Sequence, residues 1–225
     1  MPASQSTQMT LDLGHRVAMG KEDFLVSPAN QDAVAWIDMW PKWPAPALII
    51  QGPAASGKSH LAAVWKEKSR ATFVAPEDLG QYEADDIAAR GQHLIIDHLD
   101  PWIGDRQSET TLFHLYNILK AESRSMLLTM RMTPKTADFV IADLASRLRA
   151  APLAAISPPD DSLLAAVLIK LFNDRQIQIG HDVLTYILPR MDRSFDAACN
   201  LVRDADKLAL AEKRAITIPL VRKLL

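Results

Sequence analysis

One cysteine, Cys199, stands in 225 residues, so no internal disulfide can form and a reducing compartment is expected. It lies in the small-apolar stretch "DAACNLV", where a free thiol packs as a small hydrophobe. Long apolar runs are missing: none approaches the roughly 18 residues that would cross a membrane. No basic region followed by an apolar run opens the chain, so no signal peptide is expected and the location is read as cytoplasmic. Excess positive charge is missing too. A formal net charge of -2 excludes strong duplex DNA binding through phosphate neutralisation. There are no internal repeats and no low-complexity tracts. What is present is ordinary for a soluble globular chain, with 48% hydrophobic and 23% charged residues. The length suffices for one large domain, or a main domain with a small companion.

Along the chain, residues 1–20 are polar and read as a mobile tail. "NQDAVAWIDMW", 30–40, predicts a helix capped by Asn30 and stopped by Pro41. "ALIIQ", 47–51, is a short unbroken apolar run, the pattern of a buried parallel strand. A helix over 58–69 follows. Further strands are predicted at 71–75, 93–97, 125–130 and 152–156, with helices between them at 109–122 and after Pro134. Strands alternating with helices imply a five-stranded parallel sheet joined by crossover helices. At "SPPDD", 157–161, the rhythm changes and only helices follow. The expected organisation is a tail over 1–20, a nucleotide-binding α/β domain over 21–157 and a small all-helical lid over 158–225.

"GPAASGKSH", 52–60, fits G-x-x-x-x-G-K-[ST] between a predicted strand and a predicted helix, the setting this phosphate-binding motif requires. Gly52 and Gly57 let the backbone bend, so that N–H groups from Ala54, Ala55, Ser56 and their neighbours surround a phosphate, with Pro53 in the same loop but without an N–H to give. The N-terminus of the helix at Lys58, Ser59 and His60 adds partial positive charge. Lys58 is placed to reach the β- and γ-phosphates, and the Ser59 hydroxyl to bind Mg²⁺. The alternative is a chance Gly-rich turn. The partner acid expected at the end of a buried strand is Asp97 in "LIID", holding a Mg²⁺ water. The next residue is His98, where many such ATPases carry a glutamate that polarises the attacking water. A neutral histidine can act as a base; otherwise it packs beside the nucleotide. Slow or partner-dependent turnover is expected.

"GPAASGKSHLAAVW", "LIIDHLD", "LFHLYNILKAE", "LLTM" and "DLASRL" come in the order and spacing of AAA+ ATPases of the DnaA branch. With "QMTLDL" at the N-terminus, the chain most resembles the Hda family, DnaA paralogues that inactivate the initiator. The resemblance covers about residues 20–225. It implies an AAA+ P-loop core with a helical lid, ADP or ATP with Mg²⁺ as cofactors, and DnaA as partner. From spacing alone Arg147, in "ASRLR", reads as a helix-surface arginine. The resemblance implies an arginine finger that reaches a neighbour's nucleotide, with Arg149 the residue most easily confused with it. Arginine suits that task because it is always charged and presents a planar fork. Arg193, in "MDRSFDAACNL", corresponds to a sensor arginine at the start of a lid helix, or else is a surface residue. The sensor position after the fourth strand departs from the family: here stand Thr129, Met130 and Arg131, of which Thr129 or Arg131 is placed to meet phosphate or water. Phe24, Leu25 and Val26 fall where relatives cradle adenine, although such a run also suits a core.

"QMTLDL" alternates like an extended strand with one apolar face. It resembles the short peptides that dock on the β subunit of the DNA polymerase sliding clamp, with Gln8 at the rim and Leu11 and Leu13 in the groove. The chain ends soon after the lid helices, and the loop between strands 2 and 3 is short. The expectation is a regulator without sequence-specific DNA readout, which stimulates hydrolysis of DnaA-bound ATP. Two other readings stay open: a helicase-loader-like ATPase, and a nucleotide-bound adaptor with no catalytic part. Self-association as a homodimer is also left open.

Overall fold

The computed structural model describes residues 26–225. Gln8, Leu11, Leu13, Phe24 and Leu25 lie outside the described residues. Among the described residues, five strands form one parallel sheet: β1 (Ala47–Gln51), β2 (Thr72–Val74), β3 (Leu94–Ile96), β4 (Met126–Met130) and β5 (Leu153–Ala155). Their spatial order is β2-β3-β4-β1-β5. The expected strands are present, β1 with the expected bounds and the other four each one or two residues shorter than expected. The helices are α1 (Gln31–Met39), α2 (Lys58–Ser69), α3 (Ala84–Ala88), α4 (Arg106–Ala121), α5 (Ala142–Ala150), α6 (Asp161–Asn173), α7 (His181–Ile187), α8 (Phe195–Glu212) and α9 (Ile218–Val221).

The apolar runs are unbroken because helices cover both faces of the sheet. Successive residues feed opposite cores. Ile49, Leu94, Ile96 and Leu128 join Ile87, Leu112, Leu115 and Leu144 on one face. Leu48, Ile50, Ile95 and Leu127 join Ile37, Leu61 and Trp65 on the other. Trp65 is fully buried there, stacked on Trp43 at 5.1 Å and met edge-on by Trp40 at 6.0 Å. A third core is drawn wholly from residues after 160: Leu164, Leu168 and Phe172 of α6, with Ile187, Val202, Ala205 and Leu220. Asp160 and Ser194 cap α6 and α8 by accepting the N–H of Leu163 and Ala197.

Four local expectations are corrected, the first at Cys199, which is exposed on α8 and not packed. Asn30 does not cap α1 through its side chain. It is buried, and its carbonyl is turned back to accept the Ser27 N–H at 2.8 Å. The stretch after Pro134 is not helical until Ala142. There the N–H groups of Val140 and Ile141 are drawn to the Glu109 carboxylate, which holds 140–141 out of the helix. Between β2 and β3, a 3-10 turn (Pro76–Gly80) and α3 occupy what was read as a short loop. Among the described residues no helix is long and apolar enough to cross a membrane.

All five tryptophans precede residue 157, so the last four helices contain none. Phe172 is 0% exposed, and Phe172→Ala should cost about 3–5 kcal/mol of local stability. In urea, the helical circular dichroism should then begin to fall at a lower concentration than the tryptophan fluorescence; coincident shifts of both signals would contradict separate cores.

Candidate nucleotide site

The loop after β1 is shaped by close contacts. The Gly52 N–H donates to the Met130 carbonyl at 3.2 Å. A Cβ at Gly52 would stand 2.7 Å from Ser56 Oγ and 3.0 Å from the Ile156 carbonyl, so no side chain fits. Ala55 (φ 53°) and Gly57 (φ 93°) turn the backbone left-handed two residues apart, a geometry that gathers N–H groups into an anion-binding nest. Gly57 immediately precedes α2, whose twelve residues aim their N-terminus at the same point. Gly52, Ser56 and Lys58 are buried, while Pro53, Ala55 and Ser59 are exposed and Ala54 and His60 are half-buried.

Lys58 is 3% exposed. Its Nζ donates to the carbonyls of Gly52 at 2.8 Å and Pro53 at 2.5 Å. Burial holds its pKa below the usual lysine value, and the charge of Arg131 acts the same way; Asp100 and Asp97 oppose both. A buried cation in this position is stabilised by an anion seated on the loop, which is what a phosphate supplies.

Asp97 follows β3, and its Oδ1 accepts the Thr129 hydroxyl. Thr129 is fully buried, and its Oγ1 also accepts the His98 N–H at 2.9 Å while its carbonyl accepts the Leu99 N–H at 3.0 Å. The hydroxyl is thus committed within the protein, and Thr129 acts beside Asp97 by fixing it. His98 sits at φ 61°, in the left-handed region. Such a residue costs about 1–3 kcal/mol unless its surroundings hold it, as the Thr129 bonds do here. Its ring is largely exposed, with Nε2 3.7 Å from Asp97 Oδ2. Asp100 accepts the N–H groups of Arg131 and Met132 at 2.8–2.9 Å, and Gln51 Nε2 donates to the Arg131 carbonyl at 2.6 Å. Lys58, Asp97, His98, Thr129 and Arg131 are therefore gathered at one end of the sheet.

The other candidates stand elsewhere. Arg147 lies on α5, half-buried against α4. Its Nη1 donates to Asn117 Oδ1, and the guanidinium rests 4.7 Å from the Phe113 ring centre and 5.4 Å from that of Tyr116. Burial raises the Tyr116 pKa and the Arg147 charge opposes it. Arg149 instead donates to the Pro134 carbonyl at 3.0 Å, which gives it a local loop-holding task. Arg193 precedes α8 and pairs with Asp161 at 3.1 Å, both side chains exposed. Val26 is half-buried against the α1/α2 core.

Sequence reading missed Glu109, Asn117 and Asp100. Glu109 carried a signal, because it occupies the apolar stripe of its helix with Leu112, Tyr116 and Leu119 and so had to be buried with partners. Asp100 and Asn117 carried none, since the atoms they serve are distant in sequence.

The strand order, the loop and the helical lid region define the AAA+ class of P-loop proteins. Domain III of the replication initiation protein DnaA from Thermotoga maritima matches with a TM-score of 0.73 at 19% identity, over 90% of this chain and 93% of that one. AMPPCP-bound DnaA from Aquifex aeolicus gives 0.68 at 17% identity, over 84% of this chain and 64% of that one. A Haemophilus influenzae protein, described as uncharacterized, is 26% identical over 188 residues, 80% of this chain and 81% of its own length. Residues 161–225 match the family model of the Hda lid domain. The chain therefore has the AAA+ type of fold seen in DnaA domain III, and its last 65 residues (161–225) are similar to the Hda lid domain.

Gly52→Ala should force Ser56 and the Ile156 carbonyl away from the loop. ADP affinity, measured with a fluorescent analogue, should drop by about tenfold or more, the loss of roughly one good hydrogen bond to a charged group. An unchanged affinity would mean that the loop does not hold the nucleotide.

Proposed function

We propose that the chain is a regulator of replication initiation that binds ADP or ATP at residues 52–60, docks on the sliding clamp through residues 8–13, and presents Arg147 to ATP held by DnaA. The observation that carries this reading is Arg147 itself. It is held on α5 of an AAA+ core whose lid is of the Hda type, and its guanidinium is oriented by Asn117 and two rings. A planar, permanently charged fork in fixed orientation suits the charge that develops on a γ-phosphate. A finger supplied in trans is typically worth about 10³–10⁵ in rate.

In the chain's own pocket, the Gly52–Gly57 loop and Lys58 suit the phosphates. The Ser59 hydroxyl and, through water, Asp97 would hold Mg²⁺, which supplies charge neutralisation between phosphates. Among the described residues no group of three or more His, Cys, Asp or Glu forms a metal site alone. Magnesium bound chiefly by water and phosphate needs only one or two protein ligands. Val26 with Phe24 and Leu25 would flank the base, and Arg193 would reach the phosphates after leaving Asp161, an exposed pair worth only about 0–1 kcal/mol. With His98 in the place of a water-polarising acid, intrinsic turnover is slow.

That same substitution favours one second reading, a nucleotide-bound adaptor that brings clamp and initiator together without a catalytic contribution. One assay separates them. With clamp-loaded DNA and ATP-bound DnaA, Arg147→Ala should lose about 10³-fold or more of the stimulated hydrolysis. Full stimulation by Arg147→Ala would leave only the adaptor. Deleting residues 1–13 should spare ADP binding and abolish the clamp-dependent part of the stimulation; retained clamp dependence would remove residues 8–13 from the reading.

A further inference from the structure

We propose that Glu109 and Asn117 of α4 are positioning residues for Arg147, holding the finger helix at its start and the guanidinium at its tip. The proposal rests on the finger reading above.

Glu109 is 2% exposed. A carboxylate buried to that degree is costly unless hydrogen bonds replace its water. It has three, all from backbone: Oε1 accepts Gly104 N–H at 2.7 Å and Val140 N–H at 3.1 Å, and Oε2 accepts Ile141 N–H at 2.7 Å. Val140 and Ile141 immediately precede α5, and Ile141 makes no side-chain cap of its own. Glu109 therefore does from a neighbouring helix what a capping side chain does locally: it supplies acceptors and negative charge at the N-terminal end. Arg147 lies six residues beyond Ile141, about 9 Å along the helix at the α-helical rise. Any shift of the helix start is carried directly to the guanidinium.

The far end is held from the same helix. Phe113, Tyr116 and Asn117 follow Glu109 at spacings of four, seven and eight residues, which places all four on one side of α4. Asn117 accepts from Arg147, and the two rings support the guanidinium face. α4 thus fixes both the origin of α5 and the direction of its functional side chain. Gly104 adds a link to the segment that leaves Asp97, so one carboxylate ties that segment to the finger helix.

A residue that merely stabilised the fold would alter binding, nucleotide affinity and rate together. A positioning residue alters the rate at saturation. The test uses the full chain with clamp-loaded DNA and ATP-bound DnaA. For Glu109→Gln, the saturating rate should fall about 10- to 100-fold, the scale of a misplacement of about 1 Å. The half-saturating concentration and the ADP affinity should stay within about twofold of the parent. Hydrogen exchange of the Val140 and Ile141 amides should quicken by about tenfold or more. Unchanged exchange overturns the proposal. So does an unchanged saturating rate where Arg147→Ala has abolished activity. Should Glu109→Gln fail to fold, Asn117→Ala decides: a fall of about tenfold at unchanged half-saturation supports the proposal, and an unchanged rate overturns it. Full activity of Arg147→Ala would overturn the finger reading itself and the proposal with it, a failure told apart by that variant alone.

Discussion

Parallel pairing of β1 with β4, residue by residue from Ala47–Met126 to Gln51–Met130, fixes where the rest of the site can stand. Because the two strands end level, the chain leaving Gln51 and the chain leaving Met130 emerge side by side. The Gly52 N–H bonds to the Met130 carbonyl, and the Gln51 side chain bonds to the Arg131 carbonyl. β3 pairs with β4 on its other side and delivers Asp97 to the same edge. Ligands of open α/β sheets bind beyond the carboxyl ends of the strands for this reason: chain ends that are far apart in sequence become neighbours there.

At that edge, buried polar atoms are used almost without remainder. Thr129 serves two of its neighbours with one hydroxyl and a third with its carbonyl. Asp100 holds the bend after β4 by accepting two successive N–H groups. Glu109 takes three N–H groups from two segments. Thr129 and Glu109 are buried and stand where backbone would otherwise be unpaired in low dielectric, so the loss of such a bond costs the full desolvation of its partner, whereas the Asp100 bonds are exposed. The left-handed backbone at His98 is affordable inside this network and would be poorly tolerated outside it.

Apolar runs and a glycine-lysine motif were enough to read the strands, most helices and the tight loop between β1 and α2 from the sequence, because those features follow from burial on both faces and from one local motif. The change of character at 157–161 was legible for a similar reason: the residues beyond it have helical periodicity only. The start of α5 was not legible. Its sequence from Pro134 onward permits helix, and the deciding acceptor sits on a different helix 31 and 32 positions away. Asn30 was misread by the converse error, a good local cap whose side chain is claimed by Ser27. Among the candidate site residues, those that depend on motif could be named from the sequence, and those that depend on tertiary partners, Asp100, Glu109 and Asn117, could not.

Both outer strands of the sheet, β2 and β5, are only three residues long, and each turns one large apolar side chain outward, Phe73 and Leu153. A strand laid along either edge would find too few free backbone groups to zip onto, which is how native sheets discourage runaway lateral growth. Association through strand addition is therefore a poor option for this molecule. Recognition falls to side chains on helices and loops, surfaces that can be engaged and released without rebuilding a hydrogen-bonded ladder.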